Sequence, residues 1–471
     1  MSIAAKPFLP RMGRGQARLA LALIGLVVGA DRGWAQTTID CTSAPGALAM
    51  AANGGTLNGV INVKGTCVGS LNIFNDFVTI QADVSGGEIN GAIDLSGKGV
   101  TFQNITIDGT GASDPFICIQ LIGGAIGTRL INVTIENSSD SGISANFASD
   151  ITIDGGSKIM GNANEGVYAS TGATVQLGDV EITGNGTSGA NTVYRGGVKV
   201  ESGAKLLINS GHVTNIHDDN NGPELRVSQA VAEVHGGTFK SPSIVTTVPT
   251  ILVEQGALIL DSVLVEGSGH SNAILATPNG SVKLTNSTIE DAAAGVAVIQ
   301  ISDGSTLLSV GGSVICAGTI GDSGCTPTAS GNAITVTNAS TFKQRDETNL
   351  GFPLFFDSFI GAGTVQVESN MELGTGASQT SDWTGTISVA QNSSLRMDGG
   401  IMVTGAVKLT QASNGFFNVS NGGENIVTGG VTCPATTTPS AHVAGNTVVL
   451  LAHMGSSAVT IGNTPPNCLG F

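Results

Sequence analysis

One block returns along the middle of this chain and limits what it can fold into. The block is a glycine, a small or apolar residue, and then an apolar run. It reads Gly172-Ala-Thr-Val-Gln-Leu, Gly203-Ala-Lys-Leu-Leu-Ile, Gly256-Ala-Leu-Ile-Leu, Gly280-Ser-Val-Lys-Leu and Gly304-Ser-Thr-Leu-Leu-Ser-Val, with Ala230-Val-Ala-Glu-Val filling the same place between the second and third. Successive blocks stand 31, 27, 26, 24 and 24 residues apart. Each step holds three short apolar runs, such as Leu258–Leu260, Val263–Val265 and Ala273–Leu275, with Gly, Asn, Asp and Ser between them. Runs this short, bounded by turn residues, read as strands. A unit of three such strands cannot bury its inner face alone, so successive units must stack. The repeat therefore predicts an all-β right-handed parallel β-helix. Its uneven period excludes a left-handed hexapeptide helix, and a propeller blade needs roughly 40 residues and more aromatics. Coils of about 25 residues suggest roughly 16 to 18 of them.

Composition agrees. Gly accounts for 68 of the 471 residues, charged residues for 11%, aromatics for 4% and apolar residues for 41%. Disordered chains are polar and highly charged, collagen needs a Gly-X-Y period, and a helical bundle needs more good helix formers. Two further blocks match each other: Val100-Thr-Phe-Gln-Asn-Ile-Thr-Ile-Asp-Gly and Arg129-Leu-Ile-Asn-Val-Thr-Ile-Glu-Asn. Asn104, Asn132 and Asn286 hold one place between two strands, where asparagines can either bond along a stack or serve as ordinary turn residues.

Lys6, Arg11, Arg14 and Arg18 precede the apolar run Leu19–Ala30, and Gly33 and Ala35 sit at the −3 and −1 places before Gln36. This pattern reads residues 1–35 as a secretory signal peptide, and no second run approaches membrane length. Removing five basic residues and one acidic residue moves the formal charge from −16 to −20. A chain so acidic repels nucleic acid and anionic membranes. The expected address is secreted, periplasmic or cell-surface. Seven cysteines in an exported chain suggest disulfides with one left over. Proximity along the chain suggests Cys41 with Cys67, Cys316 with Cys325 and Cys433 with Cys468, leaving Cys118 as a small core residue.

Residues 43–55 are Ala-rich, with Pro45 early and Gly54 and Gly55 at the end, and predict a short helix. A β-helix needs its open end covered, so residues 36–70 are expected to form an N-terminal cap, 71–345 the helix proper, and 346–471 its continuation or an irregular β-rich region. The run Ile39-Asp-Cys41, a capping helix, then Val63-Lys-Gly-Thr-Cys67 resembles the N-terminal cap of exported bacterial members of the pectate-lyase-like β-helix superfamily. Blocks such as Ser393-Ser-Leu-Arg-Met-Asp-Gly-Gly resemble autotransporter passenger repeats.

Aligning coils on the Gly-Ala block stacks residues that are distant in sequence. Counting back four gives Tyr168, Lys199, Arg226 and Leu252, and counting back two gives Ser170, Glu201, Ser228 and Glu254. Val167, Val198 and Val200 alternate with these and should face inward. Tyr168, Lys199, Glu201 and Arg226 should then share an outer face, with Lys199 beside Arg226. The segment before the Arg226 strand, His217-Asp-Asp-Asn-Asn-Gly-Pro-Glu224, is the densest polar cluster, and Tyr194 and Arg195 precede the Lys199 strand. Resemblance to pectate-lyase-like enzymes implies a cleft over one sheet and its preceding loops. There carboxylates bind calcium and an Arg or Lys takes the proton beside a uronate carboxyl. Under that reading Arg226, Lys199 and His217 are catalytic, Tyr168, Arg195 and Glu201 bind substrate, and Asp218 and Asp219 hold calcium. The same residues also fit an ordinary turn and a solvated strand face. No complete family motif is present: Gly211-His212 lacks a following Gly, and Ile216-His217-Asp218 keeps only part of the epimerase pattern. Two functions follow. One is an extracellular or surface scaffold that binds polysaccharide or cell-surface glycan. The other is a polysaccharide lyase or C5-epimerase acting on uronate polymers.

Overall fold

The computed structural model describes residues 36–345 apart from 112–116, 188–194, 210, 212–213, 218–221, 242–247, 292–295 and short pieces between 311 and 339; beyond 345 it describes chiefly strands. Those residues form a parallel β-solenoid in which each coil lays one short strand on each of three faces. Sheet I runs from Leu71–Ile73 to Val431–Thr432 and has 15 strands, each bonded to its counterparts in the coils before and after. Sheet II contains Gln36–Asp40, Thr101–Gln103, Thr128–Ile131 and their successors, and sheet III contains Thr106–Asp108, Thr134–Glu136, Ser157–Met160 and theirs. Sheets II and III merge into one 26-stranded ladder because Val60–Val68 and Thr79–Asn90 bend through both. At that corner a Cβ on Gly87 would lie 2.2 Å from the Val63 carbonyl oxygen, so only glycine fits.

Sheet I has fewer strands than the 16 to 18 coils suggested by length. Some coils are long: the one following Ala297–Ile301 inserts an antiparallel hairpin, Gly318–Gly321 with Gly324–Pro327, before sheet I resumes at Asn332–Val336. Past residue 345 the solenoid continues. Sheets I and II extend through it, and a four-stranded parallel sheet from Ser381–Trp383 to Val459–Ile461 takes the third place.

The core is a set of stacked columns. One inward column of sheet I passes from Ile93 through Ile119, Ile143, Val167, Val198, Leu225, Ile251, Ile274 and Ile299 to Ile334, every member buried. Each such side chain contributes roughly 1.5–3 kcal/mol by leaving water. β-Branched residues suit this because their restricted χ1 packs well on a pleated surface. Between sheets II and III, Asn104, Asn132 and Asn286 adopt φ of 52°, 52° and 47°, and the Asn132 Nδ2 donates to Asn104 Oδ1 at 2.8 Å. At this pair, the stacked hydrogen bond and the turn preference are one device.

The helix Ala47–Asn53 covers the first coil with Leu48 and Ala52. Its last residue ties it down: Asn53 Oδ1 accepts from the Asn72 N–H at 2.7 Å, and Asn53 Nδ2 donates to the Ser70 carbonyl at 3.1 Å. A Cys41–Cys67 disulfide closes the same end. Residues 36–70 also supply sheet strands, so this segment is cap and first coil together. Cys118 is a free, buried thiol that burial pushes up to about 12. Cys316 is disulfide-bonded. The Cys325 side chain, Cys433 and Cys468 lie outside the described residues.

Candidate functional site

Strand register decides which side chains meet on the outer face of sheet I. Val167–Ala169, Val198–Glu201, Leu225–Ser228 and Ile251–Glu254 lie side by side, with Tyr168 opposite Lys199, Lys199 opposite Arg226 and Arg226 opposite Leu252. These are the rows counted from the sequence. Val167, Val198 and Val200 are buried, while Tyr168, Lys199, Glu201 and Arg226 point outward and are half-buried. Leu252, in the same outward row, is covered.

The side chains form a chain of contacts along the coils. Tyr168 Oη donates to Glu201 Oε1 at 2.5 Å, Lys199 Nζ lies 2.9 Å from Glu201 Oε2, and the same ammonium sits 5.0 Å from the centre of the Tyr168 ring. Arg226 Nε and Nη2 both reach Glu254 Oε2 at 2.8 Å. Burial, then the bond to Glu201, pushes the Tyr168 hydroxyl up to about 12. Burial pulls Glu201 upward, but the Tyr168 hydroxyl, Lys199 and nearby Arg226 together hold it below the ordinary glutamate value. Tyr168 is thus a hydrogen-bond donor, and Glu201 an ionised acceptor.

Arg195 stands at the border of this face, in the segment leading to Val198. Its Nη1 donates to Asn164 Oδ1, and Asn164 Nδ2 donates to Asp140 Oδ1. Arg195 is therefore fastened across three coils. His217 does not belong to the loop that leads to Arg226. It is the last residue of Thr214–His217 on sheet III, and its Nε2 lies 3.4 Å from Glu181 Oε1. The strand continues through His217 because Ile216 before it is a core residue and His217 takes the alternate, outward place. Asp218, Asp219 and Tyr194 lie outside the described residues. Among the described residues no three His, Cys, Asp or Glu side chains converge as a metal site, and no helix is long and apolar enough to cross a membrane.

Sequence reasoning brought Tyr168, Lys199, Glu201 and Arg226 together but missed Glu254 as the partner of Arg226. The signal was present: Glu254 stands in the Glu201 row, two coils on. The chain matches no protein-family model, no curated protein and no solved structure.

Proposed function

We propose that the chain is an exported right-handed β-helix scaffold of the pectate-lyase-like kind, and that the outer face of sheet I binds a neutral carbohydrate chain. The observation that carries this reading is that Lys199 and Arg226, the two adjacent cations of this cluster, each hold a carboxylate of their own, Lys199 to Glu201 at 2.9 Å and Arg226 to Glu254 at 2.8 Å. A polyuronate brings a carboxylate on each sugar and would have to displace these half-buried partners. A neutral sugar meets donors and acceptors already fixed in place, which lowers the ordering cost of binding. Right-handedness is supported by the strong preference of parallel strand connections for that hand. Export is supported by the leader pattern and by the Cys41–Cys67 disulfide, since disulfides persist in oxidising compartments.

The second reading, a polysaccharide lyase or C5-epimerase, is favoured by the Lys199–Arg226 row, two cations side by side in an acidic chain. It needs one of them free to take the C5 proton, with Asp218 and Asp219 holding calcium to stabilise the developing charge. Affinity electrophoresis through soluble β-glucan, arabinoxylan and galactomannan, with pectate and alginate alongside, tests the pair. The expected result is retardation by a neutral chain, and no ultraviolet absorbance from unsaturated uronate ends or change at C5 with either uronan, with or without calcium. Turnover of pectate or alginate would reverse the order of the two readings.

A further inference from the structure

The row that carries Glu201 and Glu254 begins differently. Read toward the N-terminus along the sheet I register, it passes through Ser170, Asn146, Ile122 and Ser96 to Phe74. Phe74 is 61% exposed and Ile122 41%. The turns just past this row add Phe77 at 59%, Ile126 at 50% and Phe147 at 62%. These turns are bonded to one another: the Phe77 N–H donates to the Lys98 carbonyl, the Gly99 N–H to that of Ile126, and the Ile122 and Asn146 N–H groups to the coils before them. Five large apolar side chains thus line one border of the first four coils, in a chain with 4% aromatics. Exposed apolar side chains gathered along one border, rather than scattered singly, point to a binding site.

A second observation is independent of exposure. Phe77 and Phe147 have φ of 58° and 53°. Phe147 holds the place that Thr171, Ser202, Gln229 and Gln255 hold in the next four coils, all at φ of 52–53°. A bulky residue in the left-handed region is an outlier, and Asn or Gly fits it at lower cost. At two turns, therefore, the chain bears both an exposed ring and a backbone cost. Strain of this kind clusters at functional sites.

Charge selects among occupants. The charged groups on these turns and on the adjoining outward row are Asp76, Asp94, Lys98 and Asp150, with Asp76 Oδ1 accepting from the Lys98 N–H at 2.8 Å. That set has no cationic excess for an anionic membrane surface. A second copy, with its leader removed as proposed, would bring another formal charge of −20 against the first. Flat rings with interspersed carboxylate and amide groups suit a neutral sugar chain, whose rings offer apolar C–H faces and hydroxyl edges.

We infer that Phe74, Phe77 and Phe147 form an aromatic platform for the same neutral polysaccharide proposed for sheet I. The binding path then runs along the coils from this border to Glu201, five steps or ~24 Å from Phe74 at the usual strand spacing. The inference rests on the carbohydrate reading above.

The test compares two variants of the full chain with wild type in affinity gels of soluble β-glucan, arabinoxylan and galactomannan. The ridge variant carries Phe74→Ser, Phe77→Asn and Phe147→Asn; the sheet variant carries Arg226→Met and Glu254→Gln. The ridge variant should bind the retarding polysaccharide at least about tenfold more weakly, given the worth of aromatic contacts. Its melting temperature should hold or rise, because Asn relieves the left-handed turns. If the ridge variant binds like wild type and the sheet variant does not, the platform is overturned and the sheet I reading stands. If only the ridge variant loses binding, the platform stands, and the sheet I site and the path to Glu201 fall. No retardation of wild type by any of the three overturns both. Ridge-dependent adsorption to phosphatidylcholine vesicles, or a ridge-dependent dimer in sedimentation, without polysaccharide binding would reassign the ridge and overturn the proposal.

Discussion

Sheets I and III carry the same kind of ion pair in different surroundings. On sheet III, Lys158 meets Glu181 at 3.1 Å and Lys240 meets Glu266 at 2.8 Å, and the lysine side chains are 52% and 55% exposed. On sheet I, Lys199 meets Glu201 at 2.9 Å and Arg226 meets Glu254 at 2.8 Å, with cation exposures of 19% and 20%. Contact length does not separate the two faces; solvent at the cation does, since Glu266 at 25% is as covered as Glu201 and Glu254 at 25% and 26%. An exposed pair exchanges with water and salt and contributes little. A half-covered pair has already given up part of its hydration, so loss of one partner is felt by the other. An ordinary surface pair and a candidate site are thus built from the same residues.

The largest expected effect comes from removing one carboxylate on each face. Glu254→Gln should cost about 1–3 kcal/mol because Arg226 loses a charge-assisted partner, whereas Glu266→Gln should stay within about 0.5 kcal/mol. Chemical denaturation of the two variants measures both, and equal losses would erase the distinction. A smaller effect is expected in acid. Glu201 and Glu181 are both held below the ordinary glutamate value, Glu201 by its bonds to Tyr168 and Lys199 against the pull of burial, Glu181 chiefly by Lys158. A carboxylate with a lowered native pKa stabilises fully above its unfolded value and loses that contribution as pH falls through the native one. Acid melting curves of Glu201→Gln and Glu181→Gln should each lose part of this slope. About half-molar salt should cancel the Glu181 share and leave most of the Glu201 share; salt acting equally on both would show that the two faces are alike. The smallest effect is alkaline. Tyr168 is raised to about 12, so its contribution is complete below the ordinary tyrosine value near 10 and fades as pH rises through 12. Tyr168→Phe should remove that late step from the stability profile.

Much of the fold was legible because a solenoid turns sequence periodicity directly into spatial neighbours. Counting back from Gly172, Gly203, Ala230 and Gly256 placed Tyr168, Lys199, Arg226 and Leu252 in one row, and the strand register agrees. The alternation of Val198 and Val200 with Lys199 and Glu201 told inside from outside, since strand side chains alternate. Coil number was less legible because loops between strands lengthen freely at little entropic cost. The position of His217 was missed because a polar run of eight residues, His217 to Glu224, hides where a strand stops. The exposed rings were missed for a different reason. Phe74, Phe77 and Phe147 fall outside the repeating block, and exposure of an apolar residue depends on what the rest of the fold leaves uncovered.

The uniform step of sheet I has a consequence for how such a molecule can change. Each strand bonds only to the coil before and the coil after, so duplicating or deleting one whole coil leaves every other rung in register. The outer row behaves as a ruler with graduations of ~4.8 Å. Two stretches of it, the aromatic one at Phe74 and the ionic one at Glu254, can be moved apart or together in whole graduations without redesigning either. On the carbohydrate reading proposed above, the length of chain bound would be set by arithmetic on coils, and the chemistry of binding by single letters on them.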